Sequence, residues 1–120
     1  MEFNFTERQP QKPNGAKIIQ AEANLILFSD GTKITGHHEP DCCECNYADC
    51  GQLDDIALNT EFDTSNLVFE EVKDSGFRFG NAPSKMFFVP CYSSQNGYYS
   101  SDLEIRLNDK RALFFDCPIV

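Results

Sequence analysis

The run His37-His38-Glu39-Pro40-Asp41-Cys42-Cys43-Glu44-Cys45 packs metal-ligand and nucleophile side chains into nine consecutive positions. Zinc could draw four ligands from it: His38, Cys42, Cys43 and Cys45, with Asp41, Glu44 and Cys50 also within the pool. The spacing is unlike a zinc ribbon or knuckle. Cys42 and Cys43 are adjacent, Cys43 and Cys45 are two apart, and no second Cys pair follows at a knuckle distance. On an extended chain, adjacent side chains also point to opposite faces. A nucleophile reading makes Cys42 or Cys43 a thiolate activated by His38, with Asp41 or Glu44 orienting the imidazole. The neighbouring carboxylates disfavour a thiolate, and no oxyanion loop follows. The bland alternative is structural: one Cys of the pair packs as a small hydrophobe, His38 is a satisfied core histidine, and Asp41 and Glu44 tie the loop to backbone amides.

A second stretch, Tyr92-Ser93-Ser94-Gln95-Asn96-Gly97-Tyr98-Tyr99-Ser100, has the composition of a recognition loop, with rigid aromatics separated by adaptable Ser and Asn. Its plain reading is cross-strand packing around a hairpin turn. The candidate binding residues are therefore Glu39, Asp41, Glu44, Asn96, Tyr98 and Tyr99. The candidate metal residues, in the alternative reading, are His38, Cys42, Cys43 and Cys45.

Positioning these side chains falls to a β-rich scaffold. Asn24 to Ser29 and Thr32 to Thr35 flank Asp30-Gly31, which predicts a two-residue hairpin pairing Leu27 with Ile34 and placing His38 on the face of Leu25, Leu27 and Ile34. Pro40 stops that ladder and leaves the cysteine run in a loop. Leu53, Ile56 and Ala57 at helical spacing predict a short helix within Asp49 to Leu58. Further strands are expected at Asn66 to Val72 and Gly76 to Gly80, then a turn at Asn81 to Ser84. Asn96-Gly97 predicts a second hairpin, pairing Met86, Phe88 and Pro90 with Leu107, Ile105 and Leu103, with Pro90 marking an edge or bulge. Ala112 to Phe115 reads as a last strand. The expected class is α+β and β-rich: an antiparallel sheet built from hairpins, with one short helix packed on it.

At 120 residues, the chain is one domain's worth, with residues 1–15 a Pro-rich, polar segment whose Phe3 and Phe5 could add an edge strand, and 16–120 the domain proper. A formal charge of -9 repels phosphate backbones and anionic membranes, so neither nucleic acid nor membrane is an expected partner; a basic patch on another protein is. No apolar run opens the chain, which predicts a cytoplasmic protein whose six Cys stay reduced.

Two of these stretches carry a resemblance. His38-Glu39-Pro40-Asp41-Cys42-Cys43-Glu44, after a Ser-Asp-Gly turn and before Gly51-Gln52-Leu53-Asp54-Asp55-Ile56, together with Asn96-Gly97-Tyr98-Tyr99-Ser100, resembles the signature of a domain-of-unknown-function family of small bacterial and bacteriophage proteins. The likeness spans about residues 25 to 107, and Cys91 stands where the pattern leads one to expect Trp. It implies a phage or mobile-element origin and an intracellular life. The expected function is a small acidic, non-enzymatic protein that binds a host protein, of anti-defence or host-takeover type, with no cofactor. The alternative is a zinc-binding structural or regulatory domain centred on His38 to Cys45.

Overall fold

Short runs of β-branched and aromatic residues alternating with polar ones bury one face of each strand, and here the buried faces belong to two sheets. The computed structural model describes residues 15–40, 44–82 and 85–120. Strands β1 (Ile18–Glu22), β2 (Leu25–Phe28), β3 (Lys33–His37), β8 (Asp102–Leu107) and β9 (Lys110–Asp116) form a five-stranded antiparallel sheet in the order β1-β2-β3-β8-β9. Strands β4 (Cys45–Ala48), β5 (Val68–Val72), β6 (Gly76–Ala82) and β7 (Lys85–Ser94) form a four-stranded one in the order β4-β7-β6-β5. The hairpin-built, antiparallel, β-rich class holds, and the helix is minor: α1 spans only Asp55–Leu58. Phe3 and Phe5 lie outside the described residues, as do Pro83 and Ser84 of the turn expected between β6 and β7.

The inner faces meet in one core cluster. Ile26, Phe28, Ile34, Leu103, Ile105 and Phe115 come from the first sheet, and Phe77, Phe79, Val89 and Cys91 from the second. Phe77 and Phe115 bring ring centroids to 6.4 Å across the layers. Phe62, outside the named strands, fastens the layers more directly. Its backbone bridges Ala16, and its ring lies 5.4 Å from Phe28, 5.6 Å from Phe79 and 5.7 Å from Phe87.

Three local expectations need correction. The first hairpin is shifted by one residue. Ile26 opposes Ile34 and Leu27 opposes Lys33, because Ser29-Asp30-Gly31 forms a three-residue loop in which only Gly31 takes a positive φ, 92°. A type I turn closed by a left-handed glycine competes with the two-residue turn at Asp-Gly, and the longer loop moves Leu27 to the face opposite Ile34. The Asn96-Gly97 segment is not a hairpin at all. β7 and β8 lie in different sheets, so Met86, Phe88 and Pro90 do not pair with β8; Val89, Cys91 and Ser93 are the inward residues of β7. Both strands do alternate, but they satisfy their apolar faces across the sandwich rather than side by side. Pro90 accordingly sits in a central strand. It is tolerated there because β4 stops at Ala48, opposite Cys91, and Pro90 only has to accept a bond from the Asp49 N–H at 2.8 Å.

The third correction concerns the helix. A 3-10 turn at Cys50–Gln52 ends at Leu53, whose backbone is extended, and Asp54 then caps α1 by accepting from the Ala57 N–H at 3.0 Å. That break resets the helical phase, so Leu53 and Ala57 are buried while Ile56 is 68% exposed. One hairpin turn that the sequence reading passed over is Asn108-Asp109. Both residues take positive φ, and they join β8 to β9 as a two-residue loop.

Phe62 is 1% exposed and touches rings from both layers, so Phe62→Ala is expected to cost about 3–5 kcal/mol in urea unfolding. The half-exposed Phe114, by contrast, should cost under about 1 kcal/mol when cut to Ala. Similar losses for the two would contradict the packing described.

Candidate functional site

Beyond His37 the alternation of β3 continues to His38, whose side chain turns inward and is only 6% exposed. Pro40 and the departure of the chain toward β4 leave its ring at the end of the sandwich. The imidazole sits between two carboxylates. Its Nδ1 is 2.8 Å from Asp102 Oδ1 at the start of β8, and its Nε2 is 3.2 Å from Glu44 Oε2, just before β4. The Glu44 side chain is almost fully buried and that of Asp102 about one-third exposed.

Both ring nitrogens must carry protons to satisfy both carboxylates, so the site favours the imidazolium. Burial is the largest single influence on His38 and opposes the charge, but the bonds to Glu44 and Asp102 together outweigh it and hold His38 above its ordinary value of 6.5. Asp102 is held below the usual carboxylate range, first by the Ser100 hydroxyl, which donates to Oδ2 at 2.6 Å, and then by His38.

The polar network runs on from Asp102. Asn46, buried on the inner face of β4, donates from Nδ2 to the carbonyls of Asp102 at 2.7 Å and Ser100 at 3.0 Å. Its Oδ1 accepts from the hydroxyl of Ser93, itself fully buried. Gln95 Nε2 donates to Ser93 Oγ at 2.6 Å and to the Ser100 carbonyl at 3.1 Å, while Gln95 Oε1 accepts from the Tyr99 N–H at 2.7 Å. A continuous set of hydrogen bonds thus ties the end of β3, the start of β4 and the whole β7–β8 connection together. The two stretches singled out in the sequence, more than forty residues apart, share one end of the fold.

Their residues divide by exposure. Glu39 is exposed, as is Asn96, whose Oδ1 accepts from the Tyr98 N–H at 3.4 Å. Tyr98 is 84% exposed and Tyr99 half-buried. Glu44 is not on the surface; it is buried against His38. Asp41, Cys42 and Cys43 lie outside the described residues. Cys45 is exposed at the head of β4, one residue from the inward Glu44 and pointing away from it. Cys50, Cys91 and Cys117 are buried free thiols; burial pushes Cys50 up to about 12, and the Cys117 thiol together with burial pushes Cys91 up. Cys50 and Cys91 are therefore poor nucleophiles and poor ligands at neutral pH.

Among the described residues no group of three or more His, Cys, Asp or Glu is placed to hold a metal ion. Both nitrogens of His38 are occupied by carboxylates, so a thiol seeking a general base there would have to displace Glu44. Ser100 and Asp102 with His38 do not form a nucleophile triad, because the serine bonds the far oxygen of Asp102 and not the imidazole.

Asp102 and Asn46 were not singled out in the sequence, and Ser93, Gln95 and Ser100 were named only as members of the tyrosine-rich stretch. The strand Cys45–Ala48 was itself missed inside a stretch read as loop, and Asn46 could have been found only by assigning it. No family model, curated protein or solved structure matches the chain.

The two shifts act in opposite pH ranges. With a folded pKa above the unfolded value of 6.5, His38 contributes stability that is fully present below pH 6.5 and is lost as pH rises through the folded value. The contribution of Asp102 is present above its ordinary 3.8 and is lost as pH falls through its depressed folded value. Relative to His38→Gln, wild type should therefore lose unfolding free energy as pH rises above 6.5 through the folded value of His38, as followed by urea unfolding at a series of pH values. Parallel stability profiles for the two proteins would contradict the assignment.

Proposed function

We propose that this chain is a small acidic, non-enzymatic binding protein that engages a protein partner with the end of the sandwich bearing Glu39, Asn96, Tyr98 and Tyr99. The observation that carries the reading is the hydrogen-bonded union of the two loop regions. It presents an exposed tyrosine on a connection braced from beneath by Gln95, Ser93 and Asn46. A bulky aromatic held on an ordered support is the type of anchor that dominates binding energy at protein interfaces.

The formal charge of -9 supports a partner with a basic surface and argues against nucleic acid and anionic membrane. No helix of the described residues is long and apolar enough to cross a membrane. The resemblance to small phage and bacterial proteins supports a bacterial host protein as the target, in the host cytoplasm, with an anti-defence or host-takeover role.

One observation favours a second reading. A carboxylate bonded to Nδ1 of a histidine, as Asp102 is to His38, is also how imidazoles that bind metal through Nε2 are held. In that reading zinc would draw on His38 with Cys42 and Cys43, and on Cys45 only after it turned from its outward position. Native mass spectrometry of the dialysed protein separates the readings. The binding-protein reading predicts the bare polypeptide mass and a Tm indifferent to chelator, whereas stoichiometric zinc, lost together with stability on chelation, would establish the second.

The first reading has its own test. With a photo-crosslinking residue in place of Tyr98, one host protein should be captured, and Tyr98→Ala should weaken its binding at least about 10-fold while leaving Tm unchanged. Capture no more selective than from position 19 on β1, where Ile19 is 63% exposed, would contradict it.

A further inference from the structure

Cys117 stands where the chain leaves β9 and crosses from one sheet to the other. Its N–H still donates to the Ser101 carbonyl at 2.8 Å beside β8. One residue later the chain has reached β7, where the Ser93 N–H donates to the Pro118 carbonyl at 2.8 Å and the Val120 N–H donates to the Ser93 carbonyl at 2.9 Å. Ser93 and Ile119 form a parallel bridge. Cys91, two residues before Ser93, shares its inward face, and both cysteines are buried, at 0% and 4% exposure. The crossing therefore sets the thiol of Cys117 against that of Cys91, and the two interact. Lateral neighbours on paired backbones fall within the Cα separation that an unstrained disulfide needs.

We propose that Cys91 and Cys117 form an oxidation site, which a low-molecular-weight disulfide closes into a cross-link fastening residues 117–120 to β7. The step balances as two exchanges. A thiolate of the pair attacks one sulfur of the small disulfide, giving a mixed disulfide and releasing one small thiol. The second protein thiolate then attacks the protein-side sulfur, forming the Cys91–Cys117 bond and expelling the second small thiol. The protein loses two hydrogens and the oxidant gains them.

Burial makes the first attack slow in the closed structure, so reaction follows opening of residues 117–120, held by the three backbone bonds above. Once formed, the bond closes that route. Ser93 also carries the hydroxyl that links Asn46 to Gln95, so the cross-link stiffens the support beneath the Tyr98 connection. Exposed Cys45 lies on the outer face of β4 and is not part of the pair. Buried Cys50, whose charge Cys91 would also feel, is the internal competitor.

Trypsin separates the possibilities, because residues 86–106 contain only Cys91, residues 112–120 only Cys117, and residues 34–73 the other four. Incubation of the folded, reduced chain with oxidised glutathione should remove two hydrogens, join the 86–106 and 112–120 peptides, and raise Tm by roughly 10 °C in a manner reversed by reductant. Cys117→Ala should abolish the joined peptide. Recovery of Cys91 and Cys117 only as separate glutathione adducts, or a cross-link from either of them into 34–73 instead, would overturn the proposal. Because the wild-type peptide map is decisive by itself, a variant that fails to fold does not rescue the idea.

Discussion

A buried carboxylate is tolerated only beside a cation and a set of donors, and that constraint organises one end of this fold. Glu44 is nearly inaccessible, and His38 is the cation set against it. To reach Glu44 the imidazole has to stand at the end of β3, and to be held as imidazolium it needs Asp102 at its other nitrogen. The starts of β4 and β8 are thereby fixed around a single side chain, although those strands belong to different sheets. Asn46 and Ser93 repeat the logic with neutral groups, each satisfied from a different segment. Buried polar networks of this sort contribute less to net stability than to the uniqueness of an arrangement, which is what a surface of loops requires in order to present one shape.

Much of the scaffold was legible because it is local. Strands at Asn66 to Val72 and Gly76 to Gly80 appear as β5 and β6, and the last strand as β9, since alternation with turn residues between is a short-range signal. What failed was pairing. The apparent match of β7 with β8 rested on two alternating strands flanking Asn-Gly, a pattern equally satisfied by strands on opposite layers. The one-residue slip at Asp30-Gly31 arose from a choice between two- and three-residue loops that the dipeptide alone does not make. His38 does share the face of Ile34, as expected, though not that of Leu25 and Leu27, and its partner Asp102 lies 64 positions away, on a strand of which only the apolar face was paired. Non-local partners of polar residues leave no periodic trace.

The function reading depends on the same convergence. Neither the 38–45 stretch nor the tyrosine connection has a motif that dictates chemistry, and each alone is as consistent with packing as with recognition. Joined, they form one end of the fold with an exposed aromatic upon it, in a chain of marked negative charge. The buried thiols lie apart from that surface in role but not in connection, because Ser93 belongs to the polar network and its backbone pairs with the segment that Cys117 begins.

The central claim is that His38 is a cation shared by two carboxylates, and the protonation of its ring reports this directly. Long-range proton–nitrogen correlation spectra of uniformly nitrogen-labelled protein distinguish the imidazolium, with both nitrogens protonated, from either neutral tautomer. The account predicts that His38 is predominantly imidazolium at pH 6.5, its ordinary midpoint, and that it deprotonates only above it. A predominantly neutral ring at that pH, with one nitrogen bare, would contradict it.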